Sequence, residues 1–236
     1  MIKAVLFDFR GTLVNTEEAQ RNAVQYLYYF VHGKRGELSF EAVTHFFEQT
    51  RLEIKEKFST NAAIHNWNLL VITSLFSKLG VQVKGAELQQ MMEQYDRAFV
   101  ERCALFLDVE PMLNFLKTQN LKLGVVIDGT AKRERLIISK LNLQKYLDVI
   151  VISEEVGRNK LSGVPLQKAV EQMHLPPSEI IVVGDRIDKD ILPANALGCV
   201  SVLIQRGQGQ NLENLQREAK PRHVIGKLTE LANFVV

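Results

Sequence analysis

The chain has little of what would place it outside a reducing, aqueous compartment. It has only two cysteines in 236 residues, Cys103 and Cys199. They lie far apart and show no pairing signature, which weighs against a disulfide framework and against a metal site built on thiolates. His45 and His65 show no metal-ligand spacing. No apolar run reaches the roughly 20 residues of a membrane-spanning helix. Neither sign of charge dominates. Lys and Arg number 29 against 27 Asp and Glu, a formal net charge of +2, so no broad basic surface is expected and nucleic acid is not the expected partner. A signal-peptide pattern is also missing, because the N-terminus runs directly into an apolar, strand-like segment. These absences together lead to the expectation of a cytoplasmic protein with no membrane partner. What is present is a hydrophobic content of 46% and a length that suits one large domain or a core with an insert.

The texture of the chain changes twice. Residues 2–8 read as a strand. Residues 16–102 carry no convincing strand but four runs with apolar positions at helical spacing: Glu17 to Val31, Phe40 to Phe58 with Ser39 as N-cap, Ile64 to Leu79, and Ala86 to Cys103. Successive helices with short polar connections predict a helical bundle. From about residue 105, helix and strand patterns alternate. Leu121 to Ile127, Val149 to Ile152, Ile180 to Val183, Val200 to Ile204 and His223 to Ile225 are strand-like, with helical runs between them. Repeated βα units predict a parallel sheet covered on both faces, an α/β doubly wound architecture. Its first strand is separated from the others by the helical insert. Tyr26, Tyr28, Tyr29, Phe30 and Trp67 are expected to belong to the core of that insert. Lys132, Arg133 and Arg135 are expected to form a solvated helix face.

In such sheets ligands bind beyond the carboxyl ends of the strands. Three predicted strands end with an acid there: Asp8, Asp128 and Asp185. Any one of them alone reads as a loop or capping residue, whereas three at the ends of one sheet point to a site. Clustered carboxylates need a cation to be tolerated. Arg10, Lys160 and a bound Mg²⁺ are the candidates.

The order and spacing of these residues resemble the haloacid dehalogenase-like (HAD) superfamily over nearly the whole chain, with a helical cap inserted after the first motif. The resemblance implies a Rossmann-like α/β core over residues 1–14 and 101–236 and a cap over 15–100, which would close over the site. Asp8-Phe9-Arg10-Gly11-Thr12-Leu13 matches motif I, and Asp8 falls on the nucleophile that would form an aspartyl-phosphate. The family's second Asp, its acid–base group, is replaced by Arg10. A guanidinium stays protonated at any working pH. Arg10 would instead hold a phosphate oxygen, or pair with Asp8 and fill the space of the ion or substrate. At motif II, Ile127 stands where the family has a Ser or Thr, followed by Asp128, Gly129 and Thr130. Thr130 is the nearest hydroxyl and reads first as a helix N-cap. Asp128 reads either as a displaced acid–base group or as the counter-charge of Arg10, and the ion pair is favoured because it explains two departures together.

Lys160, in Gly157-Arg158-Asn159-Lys160, matches the Lys of motif III. Gly184-Asp185 with Asp190 matches motif IV, where the resemblance implies Mg²⁺ held by Asp8, the main-chain carbonyl of Arg10, Asp185 and Asp190, with Asp188 as a near alternative. The acids at Asp185 and Asp190 rank phosphate chemistry above dehalogenation. The expectation is a Mg²⁺-dependent, phosphatase-type hydrolase of a small phosphorylated metabolite. Asp8, Arg10 and Lys160 are its catalytic candidates, and Arg10, Asp128, Gly129, Thr130 and Lys160 its substrate-binding candidates. The rival is a catalytically silent HAD-like binding or regulatory protein.

Overall fold

A computed structural model describes residues 1–58, 66–207, 212–213 and 215–235. His65, and the first two residues of the expected run beginning at Ile64, lie outside the described residues. The chain divides into two compact units, one formed by Met1–Asn15 with Ala104–Val236 and the other by Thr16–Cys103. The first unit opens with β1 (Ala4–Phe7) and β2 (Val14–Asn15). The second holds α1 (Glu17–Lys34), α2 (Phe40–Phe58), α3 (Trp67–Lys78) and α4 (Gly85–Arg102). The first unit then resumes with β3 (Ala104–Leu105), α5 (Val109–Thr118), β4 (Lys122–Ile127), α6 (Ala131–Lys140), β5 (Val149–Ile152) and α7 (Ser153–Val156). It continues through α8 (Val164–Met173), β6 (Ile180–Gly184), α9 (Leu192–Leu197), β7 (Val200–Ile204), β8 (His223–Ile225) and α10 (Ala232–Val235).

Six of these strands form one sheet in the order β5-β4-β1-β6-β7-β8, and every neighbouring pair is parallel. The chain therefore winds outward from β1 in one direction through β4 and β5, and in the other through β6, β7 and β8. The strands are short runs of Val, Ile and Leu because both faces are covered. Ala4 and Leu6 of β1 join Val126, Val151, Val182, Leu166, Ala169 and Met173 in one cluster, beneath α8. Val5 and Phe7 point to the opposite face by the two-residue period of a strand, and they too are buried. Gly124 in β4 leaves no room for a side chain, since a Cβ there would lie 2.8 Å from the side chains of both Leu6 and Met173. A separate two-residue ribbon pairs β2 with β3 antiparallel, Asn15 opposite Ala104, where the chain leaves and re-enters this unit.

In the helical unit, α1 packs on α4, and α2 packs on both α1 and α3. Gln20 reaches the Tyr95 hydroxyl at 3.1 Å, and Asn22 donates to the Ala98 carbonyl at 2.6 Å. Ser39 accepts from Ala42 N at 3.2 Å and Asn66 from Leu69 N at 3.1 Å, the caps that start α2 and α3. The core of this unit corrects one expectation. The buried stripe of α1 is Ala19, Ala23, Val24, Leu27 and Val31. Tyr26, Tyr28 and Phe30 flank it half-buried, Tyr29 is exposed and Trp67 is half-buried. The buried aromatic side chains are instead Phe47, Phe76, Tyr95 and Phe99. Within the described residues no helix is long and apolar enough to cross a membrane.

Candidate active site

Because β1 lies between β4 and β6, the three strand-end acids come to adjacent strands at the point where the chain reverses its winding. In open α/β sheets that crevice is the place for a ligand. Asp8 continues β1 by donating its N–H to Val183 O at 2.7 Å. The chain then turns tightly, with Val14 N and Leu13 N both bonded to Phe9 O at 2.8 and 2.9 Å. Gly11 sits in this turn with φ +86°, and a Cβ there would overlap the Asp185 carboxylate. A residue with a side chain would be strained by the φ and would also displace the acid.

After β6 the chain enters a π-helical turn, Ile187–Ile191. This turn folds Asp190 back over the strand. The Asp190 carboxylate accepts from Arg186 N at 3.0 Å and packs so closely on Gly184 that a Cβ there would overlap it. Asp8, Asp185 and Asp190 thereby bring one carboxylate oxygen each within 4.8 Å of one another. Lys160 opens a short turn after Asn159 and is buried. Its Nζ pairs with Asp8 Oδ1 and, at 2.5 Å, with Asp190 Oδ1.

The electrostatics follow from this crowding. Burial, reinforced by the charge of Asp8, pushes Asp185 up to about 6. Burial likewise raises Asp190, against the pull of Lys160. For Lys160 burial works downward, but Asp190, Asp8 and Asp128 outweigh it and hold the ammonium well above its usual range. With all three carboxylates ionised, they exceed the Lys160 ammonium by two negative charges. Asp8 Oδ2 is buried without a hydrogen-bond partner. A buried carboxylate oxygen with no donor calls for a ligand, and the surplus of two charges on the ionised hard oxygen donors matches Mg²⁺.

Arg10 contradicts both pairings considered for it. Its Nη2 donates to the main-chain carbonyl of Asp128 and lies 3.5 Å from Glu134 Oε1. It pairs with neither the Asp8 nor the Asp128 carboxylate. Asp128 is already engaged, its Oδ1 accepting from Lys160 N at 2.8 Å and its Oδ2 pairing with Lys189 at 2.7 Å. Burial raises the Asp128 pKa, but Lys189 and Lys160 together bring it below the ordinary value. Glu134 is fully buried and also takes Arg133 at 2.9 Å. Arg133 is therefore a buried residue rather than part of a solvated face.

A cavity of about 150 Å³ is lined by Asp8, Phe9, Arg10, Ile127, Asp128, Lys160, Asp185, Arg186 and Lys189. Gly129 and Thr130 do not line it. The Gly129 N–H is taken by Ser153 Oγ at 3.0 Å. Thr130 precedes α6 at the N-cap position, but its side chain makes no capping bond; the Ala131 N–H is capped by Glu154 at 2.8 Å. Asp188 forms a two-point pair with Arg186 at 2.9 and 2.6 Å and is not in the carboxylate cluster. Sequence reasoning missed Lys189 and Glu134. The helical spacing of Glu134 with Ile137 and Ile138 carried a usable signal, since all three lie on the buried stripe of α6.

A family profile described as haloacid dehalogenase-like hydrolase matches residues 5–204. A glyceraldehyde 3-phosphate phosphatase of Methanopyrus kandleri is 30% identical over 239 residues, covering 100% of this chain and 97% of that protein. A ribulose-1,5-bisphosphate 5-phosphatase of Halopiger xanaduensis is 28% identical over the full length of both chains. Among solved structures, the HAD-hydrolase YfnB of Bacillus subtilis, bound to magnesium, superposes with a TM-score of 0.78 at 16% identity over 99% of this chain and 98% of that one.

Proposed function

The chain belongs to the haloacid dehalogenase-like hydrolases, and from that premise we propose that it is a Mg²⁺-dependent, phosphatase-type hydrolase of small phosphorylated metabolites. The observation that carries this reading is the state of Asp8. One of its oxygens is held by the buried Lys160, the other is buried without a partner, and the carboxylate lines a cavity. In this reading Asp8 attacks phosphorus to form an aspartyl-phosphate, which divides one difficult displacement into two easier ones. Lys160 fixes the rotamer of the nucleophile and offsets charge on the phosphoryl oxygens. Asp8, Asp185 and the Arg10 carbonyl would hold the metal, with Asp190 directly or through water while it anchors Lys160. Mg²⁺ bound there supplies charge neutralisation for the carboxylate and phosphoryl oxygens. Arg10 and Asp128 face the substrate, and the helical unit is assigned the role of cap. The phosphatase names of the two relatives support the reaction type.

A second reading, catalytic silence, is favoured by Ile127 in the cavity wall and by the guanidinium at the acid–base position. Hydrolysis of an aryl phosphate with Mg²⁺ separates the two. The hydrolase reading expects turnover by the wild type that Asp8→Asn abolishes. A wild type inert on the aryl ester and on acetyl phosphate alike, with turnover gained in Arg10→Asp, would establish silence instead.

A further inference from the structure

The cavity beside Asp8 contains cations, and its one raised acid, Asp185, belongs to the carboxylate cluster that the hydrolase reading gives to the metal, which leaves no free acid to protonate a leaving group. Its described lining includes no His, Tyr, Cys or Glu. Asp128 is acceptor-only, with both carboxylate oxygens occupied by Lys160 N–H and Lys189. Lys160 and Lys189 are themselves bound as cations to carboxylates, and Arg186 is paired with Asp188. Arg10 differs from all of these. Its Nη2 is anchored to the Asp128 carbonyl and Glu134, its Nε and Nη1 have no partner among the described residues, and the side chain is 31% exposed at the cavity.

An alkyl phosphate must expel an alkoxide, a base of roughly the strength of hydroxide, for which the parent water has a pKa of about 15.7. Without a proton donor that departure is slow, by about 100- to 10,000-fold. A carboxylate, with a conjugate acid near about 4, or a phosphate, near about 6, leaves without a proton. Building on the hydrolase reading, we infer that the substrates of this protein are phosphoric anhydrides, namely acyl phosphates and diphosphates, and that Arg10 stabilises the anion that departs. Asp8 Oδ attacks phosphorus, the P–O bond to the leaving group breaks, and the electron pair leaves on a carboxylate or phosphate oxygen facing the guanidinium. Water then attacks the phosphorus of the aspartyl-phosphate. The P–O bond to Asp8 breaks, the carboxylate is restored and both protons of the water end on the released phosphate. The first half needs no proton donor, and in the second a phosphoryl oxygen of the aspartyl-phosphate takes the proton that the attacking water gives up. Glu134 and the Asp128 carbonyl act as positioning groups that keep the guanidinium off Asp8.

The test compares kcat/KM for acetyl phosphate, pyrophosphate and glycerol 2-phosphate, with Mg²⁺, in the wild type, Arg10→Asp, Arg10→Met and Asp8→Asn. The wild type is expected to turn over the two anhydrides. Its preference for acetyl phosphate over glycerol 2-phosphate should exceed that of Arg10→Asp by on the order of 100-fold, because the new carboxylate restores alkyl phosphate turnover. Arg10→Met should lose kcat on acetyl phosphate and gain nothing on the alkyl ester while its melting temperature stays at the wild-type value, whereas a purely structural role of Arg10 would lower the melting temperature together with kcat. A wild type that hydrolyses glycerol 2-phosphate with the same relative efficiency as Arg10→Asp overturns the inference and leaves the hydrolase reading intact. No turnover of any substrate by the wild type overturns both.

Discussion

Replacing Lys160 by Met tests the electrostatic account of the site most directly. Met fills a similar volume, so little of the effect comes from packing. The Nζ lies between Asp8 and Asp190, and the side chain is 4% exposed. Its loss leaves three carboxylates within 4.8 Å of one another with no ammonium among them. Removing one partner of a buried pair costs about 3–5 kcal/mol. In a chain of this length each kcal/mol moves the midpoint by about 2–4 °C, so the metal-free variant should melt about 6–20 °C below the wild type at pH 8. The gap should narrow at pH 5, where protonation of the carboxylates relieves their repulsion. Mg²⁺ at about 100 times its Kd adds about 2.7 kcal/mol to whichever form binds it and should recover a large part of the loss. Thermal unfolding at both pH values, with EDTA and with Mg²⁺, reads all three quantities. A shift of under about 2 °C at pH 8, or a gap that widens at pH 5, would refute the reasoning.

Gly11→Ala should combine two penalties. Positive φ costs a residue with a Cβ about 1–2 kcal/mol, and that atom would overlap the Asp185 carboxylate. Denaturant unfolding should show the stability loss, and titration calorimetry should show weaker Mg²⁺ binding. A second prediction concerns acidity. In the folded chain Asp185 binds its proton up to about 6, against an ordinary value of 3.8, and Asp190 is raised as well. The folded state therefore holds more protons than the unfolded state across this window. In EDTA these two groups should cost stability as pH rises from about 4 to about 6. The increment in melting temperature given by Mg²⁺ should grow over the same interval, because the ion requires ionised carboxylates. A Mg²⁺ increment independent of pH would contradict the placement of the ion at these acids.

The positions of Asp8 and Asp185 were legible because each follows an apolar run, whereas Lys160 and Asp190 were reached through the resemblance to the family's third and fourth motifs. Parallel strands whose faces are both buried read as runs such as Ala4–Phe7 and Ile180–Val183, and the residue after such a run sits at the ligand-binding edge of the sheet. The partners within that edge were not legible, because they depend on which loops meet. Arg10 and Asp128 are of opposite charge on adjacent strand ends, and pairing them was the economical expectation. It fails because Lys189, carried round by the π-helical turn, and the N–H of Lys160 reach the Asp128 carboxylate. Only the main-chain carbonyl of Asp128 remains for the guanidinium.

The same contest decides the state of the Asp8 carboxylate. Were Asp128 free to take Arg10, Lys189 would lose its carboxylate and become another cation beside Asp8. Were Glu134 absent, the side chain of Arg10 would lose its carboxylate anchor on the α6 side. The buried Glu134, shared between Arg10 and Arg133, keeps an always-charged group close to Asp8 without quenching it. Glu134 is one turn into a helix whose basic residues looked solvent-facing. The apolar periodicity of Ile137 and Ile138, extended back by one turn, would have placed it inside, and with it the reason that Arg10 can occupy motif I while Asp8 keeps a carboxylate oxygen without a partner.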